Sequence, residues 1–379
     1  MRTSQRRFVC SVKANDVRVP TQGKSNVILF QEVRMRSPVV FSATLRRAVN
    51  VAVSCIRDCF LAAAFVSTVL PSLSGAQSAP LFRIAYGTTG EDPTAVWLGV
   101  EQGFYRKHGL NVEAIFMRNG PLAMSAMVSG DVQMNLTSAN NALNGAAAGL
   151  DIVVVANLIG HGDGVFMARP EIQKPEDLKG KRVAIQSIGG GGWAYNMLSL
   201  DYLKLAPEKD KIQFVVLGDQ ASRVQALESG RVQASWIGYT FSEPLKKKGY
   251  TALVDVGRAA IPYMGSSLVT RRQLVRQDPK AIEEIIKGTL DAVRFIAKPE
   301  NKAAVTQTIM RHLRLSRPEE GETSYQTIQN LYSNDLVPRA AGVKKIHQIL
   351  SKANPNLRKM NPEEIIDDSL ITKIHASRY

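Results

Sequence analysis

The nine residues AMVSGDVQM at 126–134 return as ALESGRVQA at 226–234, one hundred positions later and in the same register. In each copy a helical pattern stops at Ser-Gly, and a strand pattern opens at Val132 or Val232. Glycine takes the left-handed backbone that closes a helix without steric cost, so Gly130 and Gly230 are expected to be C-caps. The same helix-turn-strand unit is therefore expected twice. A solenoid would need at least three copies. Two similar α/β lobes account for a single repetition.

From residue 82 onward, short apolar runs alternate with helix-length segments. Strands are expected at 82–86, 112–116, 132–136, 152–158, 182–186, 212–217, 233–237 and 252–256. This alternation predicts an α/β protein with parallel sheets. Prolines and charges replace the pattern in RPEIQKPED at 169–177, which marks a passage between lobes, and RAAIPYMGS at 258–266 marks the return. Asp278-Pro279 predicts an N-cap followed by proline at N1, opening a helix with Ile282, Ile285, Ile286, Val293 and Ile296 on one face. The expected plan is a leader at 1–79, a first lobe at 80–168 continued at 265–379 with the C-terminal helices, and a second lobe at 172–260. Two crossings make a hinge, and the cleft between hinged lobes is a natural seat for a small ligand.

Residues 1–79 carry eleven Lys and Arg against three acidic residues, +8 of the +15 of the whole chain. The rest of the chain is only mildly basic, so no nucleic-acid partner is expected. The apolar run CFLAAAFVSTVL at 59–70 is too short to span a bilayer. Arg46, Arg47 and Arg57 precede it, and small residues come after it. This is the pattern of a secretory signal peptide cleaved near Ala76 to Ala79, which predicts a periplasmic protein. Cys10, Cys55 and Cys59 all lie in the leader, leaving the exported chain no thiol for catalysis, disulfides or metal. A monomer without cofactor or metal is expected.

Ligands of α/β proteins sit where strands end and helices begin. The loop 87–90 offers Thr88 and Thr89, and the loop 137–140 offers Thr137 and Ser138. Four glycines at 189–192 are costly in chain entropy and suit close approach of backbone to another group. That stretch offers Ser187, Gly190, Gly191 and Trp193, with amides and a helix dipole fit for a sulfonate, carboxylate or nitrate. Gln220 opens another helix. Trp236 and Tyr239 are expected to form an aromatic wall, and Arg223, one turn into its helix, is the nearest counter-charge. His161 and Asp163 read as a polar loop, since two ligands without a third are weak grounds for a metal. His108 reads as a solvated helix end, and Lys246, Lys247 and Lys248 as a helix C-terminus.

The stretches WLGVEQGFYRKHGLNV at 97–112, DLKGKRVAI at 177–185, and the two repeat copies at 126–133 and 226–234 together resemble a known group. They are similar to the substrate-binding proteins of ABC importers for nitrate, sulfonates and taurine, the SsuA/THI5-like proteins, which share a fold with pyrimidine-precursor synthases. The resemblance covers about 80–300. It implies a class II periplasmic binding fold: two α/β lobes joined by two crossover segments, closing on a solute and handing it to the membrane subunits of an ABC permease. No Ser-His-Asp order, zinc spacing or nucleophile elbow appears in the sequence, so a non-enzyme is expected. Two alternatives stand beside it. Gly189-x-Gly191-x-x-Ala194 with Asp219 matches a dinucleotide fingerprint, which would make the chain an oxidoreductase. A pyrimidine-precursor synthase would share the fold, but the exported chain lacks that group's cysteine-rich iron motif.

Overall fold

A computed structural model describes residues 81–379 other than Thr89, Ala353 and Arg378. The expected leader, its cleavage site and its cysteines lie outside the described residues. The strands are β1 (Leu81–Tyr86), β2 (Asn111–Phe116), β3 (Met134–Thr137), β4 (Ile152–His161), β5 (Val165–Ala168), β6 (Arg182–Ile185), β7 (Gln213–Val216), β8 (Ala234–Ile237), β9 (Thr251–Asp255) and β10 (Pro262–Arg271). They form two five-stranded sheets of one plan, β2-β1-β3-β10-β4 and β7-β6-β8-β5-β9.

The first three strands of each sheet are parallel, as expected. The fourth is not: β10 runs antiparallel to β3 and β4, and β5 to β8 and β9. Each reversed strand is the one that has just crossed from the other sheet. Neither is among the strands that the sequence pattern predicts. β10 begins at Pro262 and carries Gly265, Ser266, Ser267 and Thr270, a composition that reads as turn. β5 is only four residues long, directly behind a glycine-rich loop. The first change of sheet thus falls between His161 and Val165, ahead of the 169–177 stretch, and β5 at 165–168 pairs within the second sheet.

The repeated phrase has one structure in both places. Helix α2 (Gly120–Ser129), which follows α1 (Thr94–Glu101), closes at Gly130 with φ 90°, and Gly230 has φ 75°. Val132 N–H donates to Ala126 O at 3.3 Å, and Val232 N–H to Ala226 O at 3.2 Å. Gln133 and Gln233 then tie each turn to the neighbouring strand: their amides donate to Arg83 O and Arg182 O, and their side chains accept from Arg83 N–H and Arg182 N–H. A local signal, glycine after a helix, has been used twice with the same result.

The remaining helices that position the site are α3 (Ala139–Ala147), α4 (Gly191–Tyr202), α5 (Gln220–Glu228), α6 (Tyr239–Lys247), α7 (Pro279–Ala297), α8 (Pro318–Leu331) and α9 (Ala340–Leu350). Asp278 caps α7 by accepting from Ala281 N–H, and Ile282, Ile285, Ile286, Val293 and Ile296 are all buried. The C-terminal helices pack on the first sheet and on helices of the second lobe. α9 packs on β10 and on α4, and α8 packs on α6. Lys345 on α9 pairs with Asp201 on α4 at 2.7 Å. Among the described residues no helix is long and apolar enough to cross a membrane.

Candidate functional site

The carboxyl ends of β3 and β8 and the loops after β1 and β6 enclose a cavity of about 50 Å³. At roughly 10–15 Å³ per water, that is room for a solute of a few heavy atoms. Thr88, Thr137, Ser138, Gly191, Gln220 and Trp236 line it, as does Arg223. Thr89 lies outside the described residues.

The two sheets meet across this cavity through hydrogen bonds. Asn140, fully buried, donates from Nδ2 to Gly189 O at 2.6 Å and accepts from Tyr263 Oη at 2.5 Å. Gln186 Nε2 donates to Gly87 O at 2.9 Å. Thr240 Oγ1 donates to the Glu91 carboxylate and shares a 2.6 Å bond with Ser324 on α8.

The glycine run does what its cost implied. Helix α4 starts at Gly191 with Gly190 as an N-cap that carries no side-chain bond, leaving its first amides open beside the cavity. A Cβ on Gly191 would lie 3.2 Å from Ser138 Oγ, and one on Gly192 would lie 3.1 Å from Gln186 Cβ and 3.5 Å from Arg223 Nη1. Ser138 does not cap α3. Its hydroxyl donates to Asn140 Oδ1 at 2.6 Å and, with Thr137 Oγ1, accepts from Asn141 Nδ2.

Arg223 is 2% exposed. Nη1 donates to Trp236 O at 2.7 Å and Nε to Asp219 O at 3.3 Å. Burial lowers its pKa to about 10 against the supporting charge of Asp219, which forms no ion pair with it. A buried cation without a carboxylate partner is costly unless an anion completes it.

Opposite in sign is a group of which the sequence reading named only Asp163, and that as a polar loop. Asp92 and Tyr195 line the cavity, with Glu91 and Asp163 buried behind them. Burial raises the Glu91 carboxyl to about 7, and Asp92 adds to the rise. Burial likewise raises Asp163 to about 7, with Glu91 contributing, and pushes Asp92 well up, with Asp163 contributing. Asp163 is therefore no open polar loop: its backbone carbonyl accepts from Trp236 Nε1 at 2.6 Å. Tyr195 was within reach of the sequence, because it stands one turn after Gly191 on the same helix face.

Four expected residues are placed elsewhere. Trp193 lies on the opposite face of α4, in an outer groove with Ile188, Met197 and Phe214. Tyr239, first residue of α6, turns from the cavity and donates to Asp255 Oδ1 at 2.7 Å. Trp236 stands without it, stacked on Tyr195 at 4.3 Å between ring centres. Ser187 and Gly190 pack on each other behind the loop, where a Cβ on Gly190 would sit 2.5 Å from Ser187 Oγ. His108 is not solvated either: Nδ1 lies 3.0 Å from Glu284 and Nε2 lies 3.1 Å from Asp291. Asp219 caps α5 through Ser222 N–H, which removes it from the ribose role of a dinucleotide site, and the cavity is far too small for a dinucleotide.

The chain is similar to known proteins. A Brucella abortus protein, by name a candidate binding protein, is 25% identical over 286 residues, 74% of this chain and 86% of that one. The taurine-binding periplasmic protein of Escherichia coli K12 is 25% identical over 254 residues, 66% of this chain and 77% of that one. The alkanesulfonate-binding protein SsuA of Xanthomonas axonopodis pv. citri, solved with MOPS, superposes with a TM-score of 0.61 at 16% identity, over 77% of this chain and 99% of that one. That likeness carries the fold, which is the periplasmic binding protein fold that the sequence resemblance implied. The family model described as NMT1/THI5 like matches residues 92–303, more than half of the chain, and the chain belongs to the NMT1/THI5-like family.

Proposed function

We propose that the protein is the extracytoplasmic solute-binding component of an ABC importer, not an enzyme, and that it captures a small solute bearing an anionic group. The observation that carries this reading is Arg223: a buried guanidinium with no ion pair, beside the uncapped start of α4, facing a cavity between two sheets. Arginine, amides and the Ser138 and Thr137 hydroxyls suit a sulfonate, carboxylate or nitrate. In this reading the lobes hinge at the two crossings, 162–164 and 256–261, and solute bound to one lobe draws the other over it. The closed form then docks on the permease. Export by the N-terminal signal and action as a periplasmic monomer, with no nucleic-acid partner, belong to the same proposal.

The test is a thermal-shift panel on the protein with ethanesulfonate, nitrate, benzoate, a free pyrimidine and NAD. Binding to the folded state alone raises the melting temperature with concentration. Stabilisation by at least one of the three anions is expected. Stabilisation by NAD alone would replace this reading with the oxidoreductase, and by the pyrimidine alone would point to the synthase relatives.

A further inference from the structure

Helix α6 begins at Tyr239 behind Gly238, so its N-cap has no side chain to offer the first amides. The group that stands there comes from the other half of the molecule. Glu91, 3% exposed in the loop after β1, accepts from Thr240 Oγ1 and from the Thr240 backbone N–H, and Ser324 Oγ on α8 lies 3.4 Å from the oxygen that Thr240 Oγ1 meets. A carboxylate suits the positive end of a helix. Thr240 and Ser324 are buried with it and share a 2.6 Å bond. Glu91 is anchored on the side of the first sheet: its carbonyl accepts from Thr94 N–H at 2.9 Å and from Thr94 Oγ1 at 2.6 Å, at the start of α1. Parting the sheets would therefore break its bonds to Thr240 and bring water to the carboxyl, while those to Thr94 hold.

We propose that Glu91 is a clasp that caps α6 from the opposite lobe, and that closing the lobes takes up a proton at this carboxyl. This rests on the hinged-lobe reading and adds to it a dependence on pH. Burial raises the carboxyl, its own N–H, Ser324 and the Thr240 N–H lower it, and Asp92 raises it; burial wins and leaves it at about 7. In the open molecule it would meet water and return to about 4.3. The titratable groups that face it are Asp92 on its own loop, Asp163 from the first crossing and Tyr332 beyond α8, and Arg223 of α5 lines the cavity with Asp92. The closed state binds more protons than the open one between those two values, so closure strengthens as pH falls. For one carboxyl moving from about 4.3 to about 7, the gain between pH 8.5 and pH 5.5 is about 30-fold.

The experiment reads the distance between spin labels at Leu122→Cys and Val216→Cys, in a chain whose three cysteines are changed to serine, without solute at pH 8.5 and pH 5.5. The ratio of short to long component is expected to be roughly 30-fold larger at the lower pH. Asp92 and Asp163 titrate nearby, so the decisive comparison is with Glu91→Gln, which keeps the shape of the protonated acid and is expected to remove about tenfold or more of that response. Thr240→Val, which leaves the carboxyl and removes its hydroxyl partner, is expected to favour the long component at pH 5.5 and serves if the first variant folds poorly. The same labels are read with ethanesulfonate, nitrate and benzoate at pH 7. Closure by an anion with no response to pH, or a response that Glu91→Gln leaves intact, would overturn the clasp and leave the solute-binding reading standing. Distances unmoved by acid and by all three anions would overturn both.

Discussion

The two copies of the repeated unit occupy matching places in matching sheets, yet they bury different chemistry at the same position. Ala123 in α2 and Arg223 in α5 stand one hundred residues apart and are both buried, at 0% and 2% exposure. The capping residues agree in role: Asn119 accepts from Leu122 N–H and Asp219 from Ser222 N–H. The turns agree bond for bond. Beyond the turns the copies part, into Leu136-Thr137-Ser138 in one and Trp236-Ile237-Gly238 in the other. What is alike is local and serves folding, whereas Leu136, Thr137, Ser138 and Trp236, where the copies differ, line the cavity.

The comparison breaks most violently if the difference is erased from the wrong side. Ala123→Arg would bury an unpaired charge in a packed core and is expected to cost on the order of 4 kcal/mol, read as a large drop in the denaturation midpoint. A small effect would mean that the two positions are not equivalent in packing.

Next in size is the acid cluster beside the second copy. The Glu91 and Asp163 carboxyls rise to about 7 in the folded chain from an unfolded value near 4, so the folded state binds more protons than the unfolded one between those limits. Stability is therefore full below about pH 4 for these groups and is lost as pH rises through about 7, by on the order of a few kcal/mol. Asp335 has the opposite sign. Burial would raise it, but bonds from Arg339, Ser333 and Val337 hold it at about 2, so its contribution is present above about pH 4 and fades only in strong acid. Urea denaturation at pH 5 and pH 8 should show the protein more stable at pH 5, with Asp163→Asn flattening the difference. Equal stability at both would mean that the carboxyls find cations in solution.

Arg223→Met tests the second copy from within. Replacing a buried, unpaired cation with an apolar side chain of similar length is expected to leave stability unchanged or higher. Affinity for the anionic solute is expected to fall about 100-fold, close to 3 kcal/mol. Intact affinity would remove Arg223 from the site. The smallest effect sharpens the likeness instead: Gly130→Ala and Gly230→Ala both force a Cβ into left-handed backbone. Each is expected to cost roughly 1–2 kcal/mol and the two to agree closely. Unequal costs would mean that the turns only look alike.

Much of this frame was readable in the chain because its causes are local. Glycine after a helix, Asp-Pro before one, and an apolar face at helical spacing act within a few residues, and Gly130, Gly230, Asp278 and Ile282 behave accordingly. The crossing strands were not readable. β10 is held by pairing with β3 and β4, and nothing within PYMGSSLVTR announces a buried strand. The candidate site divides the same way. Loop positions at strand ends brought Thr88, Thr137, Ser138 and Gln220 to the cavity, whereas Trp193 and Tyr239 failed because helix phase, not proximity in sequence, decides which side a residue faces. Asp92 carries no pattern at all, and Asp163 read only as a polar loop. They become a pair only when residues 71 positions apart are folded together.

If two look-alike lobes shut on a solute, the distance between them must shorten when the solute binds. Spin labels at Leu122→Cys on α2 and Val216→Cys on β7, both exposed and in different lobes, can be read by pulsed dipolar spectroscopy in a chain whose three cysteines are changed to serine. Saturation with the tightest-binding solute is expected to move the distance distribution toward its shortest component and narrow it. A distribution identical with and without bound solute would refute lobe closure.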